Sequence, residues 1–149
     1  MATTASTAYL ESKIFSADPV ELVEILYRAA LESAASARRH LARGDIAGRS
    51  REISRTMAIL TELMLSVDRE AGGPLARNLL ELYDYMQRRL IEANAEQTEA
   101  PLAEVSRLLA TLLEGWMHCC PAAERAEELE VFAPVLSGAY ASPYSQLTA

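Results

Sequence analysis

The sequence predicts an all-α protein, an antiparallel up-down four-helix bundle with an N-terminal arm and an acidic C-terminal tail. Three observations predict it. Glycine and proline punctuate the chain at intervals of about 25 residues. The stretches between them repeat apolar residues on alternating three- and four-residue steps, and none shows the strict alternation of a half-buried strand. At 149 residues, 50% hydrophobic and 23% charged, the chain has the composition of one globular domain. A chain of this size buries roughly 68–70% of the surface its unfolded form exposes, which excludes disorder throughout.

The expected organisation is an arm over residues 1–17, a bundle over 18–118 and a tail over 119–149. The arm is rich in Ala, Ser and Thr yet contains Tyr9, Leu10, Ile14 and Phe15. The first helix is expected to start at Asp18-Pro19, with Asp18 as N-cap, Pro19 at the first helical position and Glu21 completing a capping-box-like pair. It is expected to end at Gly44, after Arg38, Arg39 and Arg43, whose charges suit a helix C-terminus. The second runs from about Ile46 to Asp68 with a seam of Ile53, Met57, Leu60, Met64 and Val67, and Gly72-Gly73-Pro74 breaks the chain after it. The third covers about Leu75 to Ala95, aligning Leu75, Leu79, Leu82, Met86, Leu90 and Ala93. The fourth begins near Pro101, capped by Thr98 or Ala100, and aligns Leu102, Val105, Leu109, Leu112 and Trp116 before Pro121. Helices of this length joined by short connections pack as antiparallel neighbours. The tail carries four Glu against one Arg, and its stretch from Ala122 to Phe132 is compatible with a helix. It reads either as a solvating acidic extension or as a further regulatory contact.

Charge and cysteine usage exclude several functions. The net charge is −7, from 21 acidic and 14 basic residues, and the basic residues are spread along the chain. Nucleic-acid affinity rests on clustered Lys and Arg, so no nucleic-acid partner is expected. No apolar run approaches the roughly 18 residues of a membrane span, and residues 1–12 lack the basic and apolar regions of a secretory leader. A soluble cytosolic protein without membrane insertion is predicted. The two cysteines, Cys119 and Cys120, are adjacent, so they build no disulfide framework.

Chemistry is sparse as well. A di-iron bundle needs Glu-x-x-His motifs, but Ala37 stands three residues before His40 and Gly115 three before His118. His40 reads as a cation beside a helix C-terminus. His118-Cys119-Cys120 has no second ligand pair for zinc, and a thiol nucleophile there would have to find its base elsewhere in the fold. No phosphate-cradling loop, G-x-S-x-G or dinucleotide fingerprint is present. Neither an enzyme nor a cofactor or metal is expected.

The first helix is richer in apolar residues than one core face requires. Leu22, Leu26, Ala29, Ala30, Ser33 and Ala37 form one stripe and Val20, Val23, Tyr27 and Leu31 another, together covering roughly 200° of arc. Ile59 and Leu63 lie to one side of the second seam, and Leu80 and Ile91 share a line off the third. Two readings are open: additional core, or a groove for an amphipathic partner that the arm covers when the partner is absent.

The chain resembles the FliS family of bacterial flagellar export chaperones over about residues 8–118. The resemblance is carried by Ala8-Tyr9, by the run from Ser16 to Tyr27, and by Gly44-Asp45, Asp68 and Gly72-Gly73. It continues through Asn78-Leu79, Leu82-Tyr83-Asp84-Tyr85-Met86, Leu90, Ala93-Asn94 and Trp116. It implies an antiparallel helical bundle that binds the disordered C-terminal segment of flagellin in the cytosol. Such a chaperone blocks premature polymerisation and delivers flagellin to the gate of the flagellar type III export apparatus, without covalent chemistry. It also implies that flagellin competes with the arm for a hydrophobic groove, and that the arm tyrosine, here Tyr9, docks on the export-gate protein.

Two departures stand out: an aliphatic residue preceding that tyrosine in some relatives falls on Ser6, and the family's Asp-Gly after Leu-Tyr is replaced by Arg28-Ala29. The candidate partner-binding residues are Tyr9 and Ile14 in the arm, Val20, Val23, Tyr27 and Leu31 on the first helix, and Leu80, Tyr85 and Ile91 on the third. Tyr83 and Trp116 are expected in the core. A monomer and a homodimer both remain open. A regulatory bundle that sequesters a signalling or anti-sigma partner is the alternative function that the same grooves would serve.

Overall fold

The computed structural model describes residues 19–119, with side chains from residue 21. Its regular structure is four helices: α1 Pro19–Ala42, α2 Ile46–Ser66, α3 Arg69–Glu96 and α4 Ala100–Cys119. The helices form a bundle in which α1 packs on α2 and α4, and α3 packs on the same two. The arm, the expected Asp18 cap and the tail lie outside the described residues.

The first turn follows the sequence closely. Gly44 takes a left-handed φ of 70°, a conformation glycine adopts without a Cβ clash, and its N–H donates to the Leu41 carbonyl at 3.1 Å. Asp45 then caps α2, accepting from the Gly48 N–H at 2.9 Å. His40, in the last turn of α1, sits with Nδ1 2.9 Å from the other Asp45 oxygen. The Gly48 N–H, more than His40, holds the Asp45 carboxyl below the usual carboxylate range.

The second turn departs from expectation. Gly72-Gly73-Pro74 interrupts the helix as expected, with the break at Gly73, but a short helical segment that the sequence did not predict precedes it, so that α3 starts at Arg69. Asp68 accounts for this: its Oδ1 accepts from the N–H groups of Glu70 and Ala71 at 3.0 Å, satisfying two donors of a first turn ahead of the glycines. The distortion is absorbed at Gly73, with φ 53° and ψ −129°, just before the proline that lacks an N–H.

The core confirms some seams and shifts others. Leu60, Met86, Leu90, Leu102, Val105 and Leu109 are fully buried. Ile59 and Leu63, placed beside the seam by their spacing, are buried in the same core, because α2 faces both α1 and α3 and therefore buries a wide arc. Leu75, aligned with the third seam, is instead 66% exposed. On α1 the buried Ala30, Ala34 and Ala37 present small side chains, and the buried hydroxyls of Ser33 and Thr56 meet at 2.7 Å across α1 and α2.

Polar contacts pin the other end of the bundle. Arg49, only 3% exposed, donates from Nε to Asn94 Oδ1 at 3.2 Å and from Nη2 to the Asn94 carbonyl at 3.4 Å. Ser50 donates to the same Asn94 oxygen at 3.0 Å. Gln97 beyond α3 adopts φ 55° and accepts from Arg49 Nη1 at 3.4 Å. Arg38 pairs with Glu99, tying α1 to the connection before α4.

Candidate functional site: an apolar cleft at one end of the bundle

A cleft of about 620 Å³ opens where the start of α1, the end of α2, the first half of α3 and the end of α4 meet. Val23 and Tyr27 come from α1, Leu63 and Val67 from α2 and its cap, Leu75, Leu79 and Tyr83 from α3, and Leu112, Gly115 and Trp116 from α4. The kinked segment contributes Asp68, Ala71 and Gly72 to the wall. Among the described residues that line it, Asp68 alone has a formal charge at neutral pH, and its Oδ1 is engaged in capping α3. The cleft therefore presents apolar surface with few polar groups, the composition that accommodates an apolar side chain or an amphipathic segment.

Two buried phenols stand in this wall. Tyr27 and Tyr83 are 3% and 2% exposed, and their hydroxyls hydrogen-bond each other across α1 and α3. Burial pushes the Tyr27 phenol up, with its bond to Tyr83 pulling the other way. Burial also raises Tyr83, far above the ordinary tyrosine range, and there the bond to Tyr27 adds to it. Both are neutral at physiological pH.

The structure brings some of the expected site residues together and separates others. Val23 and Tyr27 both line the cleft, whereas Leu31 packs half-buried against the core. Val20 belongs to α1, but its side chain is outside the described set, as are Tyr9 and Ile14 altogether. Leu80, Tyr85 and Ile91 do not line the cleft. Ile91 is 55% exposed, and Tyr85 donates its hydroxyl to Glu104, which also accepts from Arg89 Nε at 2.7 Å. Those two bonds, Tyr85 first, hold the Glu104 carboxyl below its usual range. The Tyr85 bond to that carboxylate raises the phenol in turn.

Sequence reasoning missed Leu75, Leu79, Leu112 and Trp116 as cleft residues, while Leu63, for which core and groove were both open, lines the cleft and belongs to the core. Tyr83 is core, as expected, and also cleft wall; Trp116 is half-buried and shared in the same way. A signal was available in the glycines, since Gly72 and Gly115 line the cleft and withhold side chains from it. Arg28, the departure from Asp-Gly, pairs with Glu24 at 2.9 Å and lies 3.5 Å from Met117 Sδ, beside the end of α4.

Among the described residues, no helix is long and apolar enough to cross a membrane, and no three His, Cys, Asp or Glu side chains group to hold a metal ion. The fold and the cleft thus define a class, that of small helical bundles with an open apolar cleft. Comparison with known proteins narrows it. The family described as "Flagellar protein FliS" matches residues 1–123, and the chain belongs to this family of flagellar export chaperones. It is 37% identical over 119 residues to the flagellar secretion chaperone FliS of Salmonella typhimurium, covering 79% of this chain and 88% of that protein. The flagellar secretion chaperone FliSB of Pseudomonas aeruginosa is 37% identical over 107 residues, covering 72% of this chain and 85% of the relative. The Bacillus subtilis FliS chaperone is 28% identical over 110 residues, covering 74% and 81%.

Proposed function

We propose that this protein is a cytosolic flagellar export chaperone that holds the disordered C-terminal segment of flagellin, prevents its premature polymerisation and delivers it to the type III export gate. The observation that carries the reading is the apolar cleft, with one charged residue among the described residues that line it, in a member of the FliS family. Apolar anchors of the flagellin segment fill the cleft, and the entropy lost in ordering that segment keeps net affinity below what the buried area alone would give. Val23 and Tyr27 contact the segment there. Val20 and Leu31 extend the same helix face, and Leu80, Tyr85 and Ile91 offer a second contact to a partner that wraps around α3.

The arm, with Ile14, covers the cleft in the free protein, and Tyr9 docks on the export-gate protein. The helices run antiparallel in an up-down order, supported by the meeting of the α1 start, α2 end and α4 end at one cleft. Nothing in this function requires bond making, so the protein acts by binding and not as an enzyme.

Flagellin polymerisation tests the reading. Stoichiometric protein is expected to suppress filament growth from monomeric flagellin, and Val23→Glu, which places a charge in the apolar wall, is expected to restore it. Filament growth indifferent to the wild-type protein overturns the reading.

A further inference from the structure

The Tyr27–Tyr83 pair contains two O–H groups, and only one of them is satisfied within the pair. The other has no acceptor among the described residues, although both side chains are almost completely withdrawn from solvent. A buried donor left without an acceptor destabilises by about 1–3 kcal/mol, so buried groups of this kind are ordinarily paired. Tyr27 and Tyr83 both line the cleft, so a docked segment is the natural source of the acceptor.

We propose that the cleft selects a side-chain carboxamide, Asn or Gln, on the segment it binds, and that the Tyr27–Tyr83 hydroxyl pair is the group that reads it. The inference rests on the cleft being the flagellin-binding site and adds to it what the site recognises besides apolar bulk. Three alternatives fit the chemistry less well. A carboxylate would enter a wall whose described residues include no cation, and whose one formal charge among them, Asp68, is itself negative. A backbone carbonyl in a helical partner is already engaged in its own i to i−4 ladder. A hydroxyl must accept and donate from a single atom, whereas the pair presents a free O–H beside oxygen lone pairs on two neighbouring atoms. A carboxamide sets its C=O beside its NH₂ in the complementary order. Val23, Leu79, Leu112 and Trp116, which line the same cleft, then take apolar residues that neighbour the Asn or Gln in the segment.

The test is a coupling experiment on the full chain. The C-terminal flagellin segment from the same genome is titrated calorimetrically with its Asn and Gln residues replaced one at a time by Leu. Each titration is repeated with Tyr27→Phe/Tyr83→Phe, whose phenyl rings keep the packing and whose fold is checked by circular dichroism. One Asn or Gln replacement is expected to weaken binding to the wild-type chain by about five- to tenfold, the size of one net hydrogen bond. The same replacement is expected to leave binding to the double-Phe variant unchanged. Tight binding in which no replacement discriminates between the two chains overturns the tyrosine assignment and leaves the cleft reading standing. Absence of binding to the wild-type chain overturns the cleft reading, and this inference with it.

Discussion

Gly115 allows folding and binding to be pulled apart. It lies within α4 on the wall of the cleft, and a Cβ built there meets no heavy atom within 4 Å. Alanine is favoured over glycine inside a helix by about 0.5–1 kcal/mol, so Gly115→Ala should stabilise the bundle. For a domain of this size that gain corresponds to a Tm increase of about 2–6 °C. Leucine has nearly the helix propensity of alanine, so Gly115→Leu should be stabilising too, but its side chain occupies space in the cleft that a partner anchor needs. Excluding one buried anchor removes about 1.5–3 kcal/mol of apolar burial, which is about ten- to 150-fold in Kd. Thermal melts followed by circular dichroism and calorimetric titration with the flagellin segment read the two effects separately. A Gly115→Leu protein with raised Tm and undiminished affinity would refute the cleft as the binding site. A lowered Tm in Gly115→Ala would refute the open space described at this position.

Three further outcomes follow from the packing. Asn94→Ala removes the acceptor shared by buried Arg49 and Ser50 and should lower stability in urea by about 1–3 kcal/mol; an unshifted midpoint would contradict the pinning role. Gly73→Ala forces a Cβ onto φ 53° and ψ −129° and should destabilise by about 1–3 kcal/mol, and a Tm that rises instead would show that α3 is not kinked there. Tyr27 and Tyr83 keep their protons above the ordinary tyrosine value of 10.0, so above that pH the native state binds more protons than the unfolded chain. Their stabilising contribution is therefore complete below that value and is lost as pH rises beyond it, by at most about 1.4 kcal/mol per pH unit for each tyrosine. The loss is measurable by denaturant titration at increasing pH, and Tyr27→Phe/Tyr83→Phe should flatten it; an equally steep loss in the variant would contradict the assignment.

The helices were legible because local chemistry and tertiary packing agree in them. Gly44 and Asp45 act at the first turn as their residue types require, and Leu60, Met86, Leu90 and Leu109 are buried as their spacing implies. Gly72-Gly73-Pro74 interrupts the helix at Gly73 as its residue types require, and what a local reading overlooked is the short segment ahead of it, which Asp68 caps four residues upstream of Gly72. Ile59 and Leu63, for which additional core was one of the open readings, are buried because α2 packs on two neighbours and a single heptad seam describes a helix with one. The excess apolar arc of α1 was visible, and the structure divides it, since Leu31 and Ala30 support the core while Val23 and Tyr27 reach the cleft. The α4 wall was not visible, because Leu112 and Trp116 obey the same rhythm as the core residues and only the fold shows that the bundle opens beside them.

The most direct measurement is isothermal titration calorimetry of the full chain with the C-terminal segment of flagellin from its own genome, at several temperatures, alongside Val23→Glu. Val23 is the better site for the charge, because the almost complete burial of Tyr27 would make Tyr27→Glu a folding variant. Near-stoichiometric binding with negative ΔCp, lost in a folded Val23→Glu protein, is the predicted result. No binding by the wild-type chain would contradict the account and favour a regulatory bundle with a different partner, and binding that Val23→Glu leaves intact would contradict the cleft as its site.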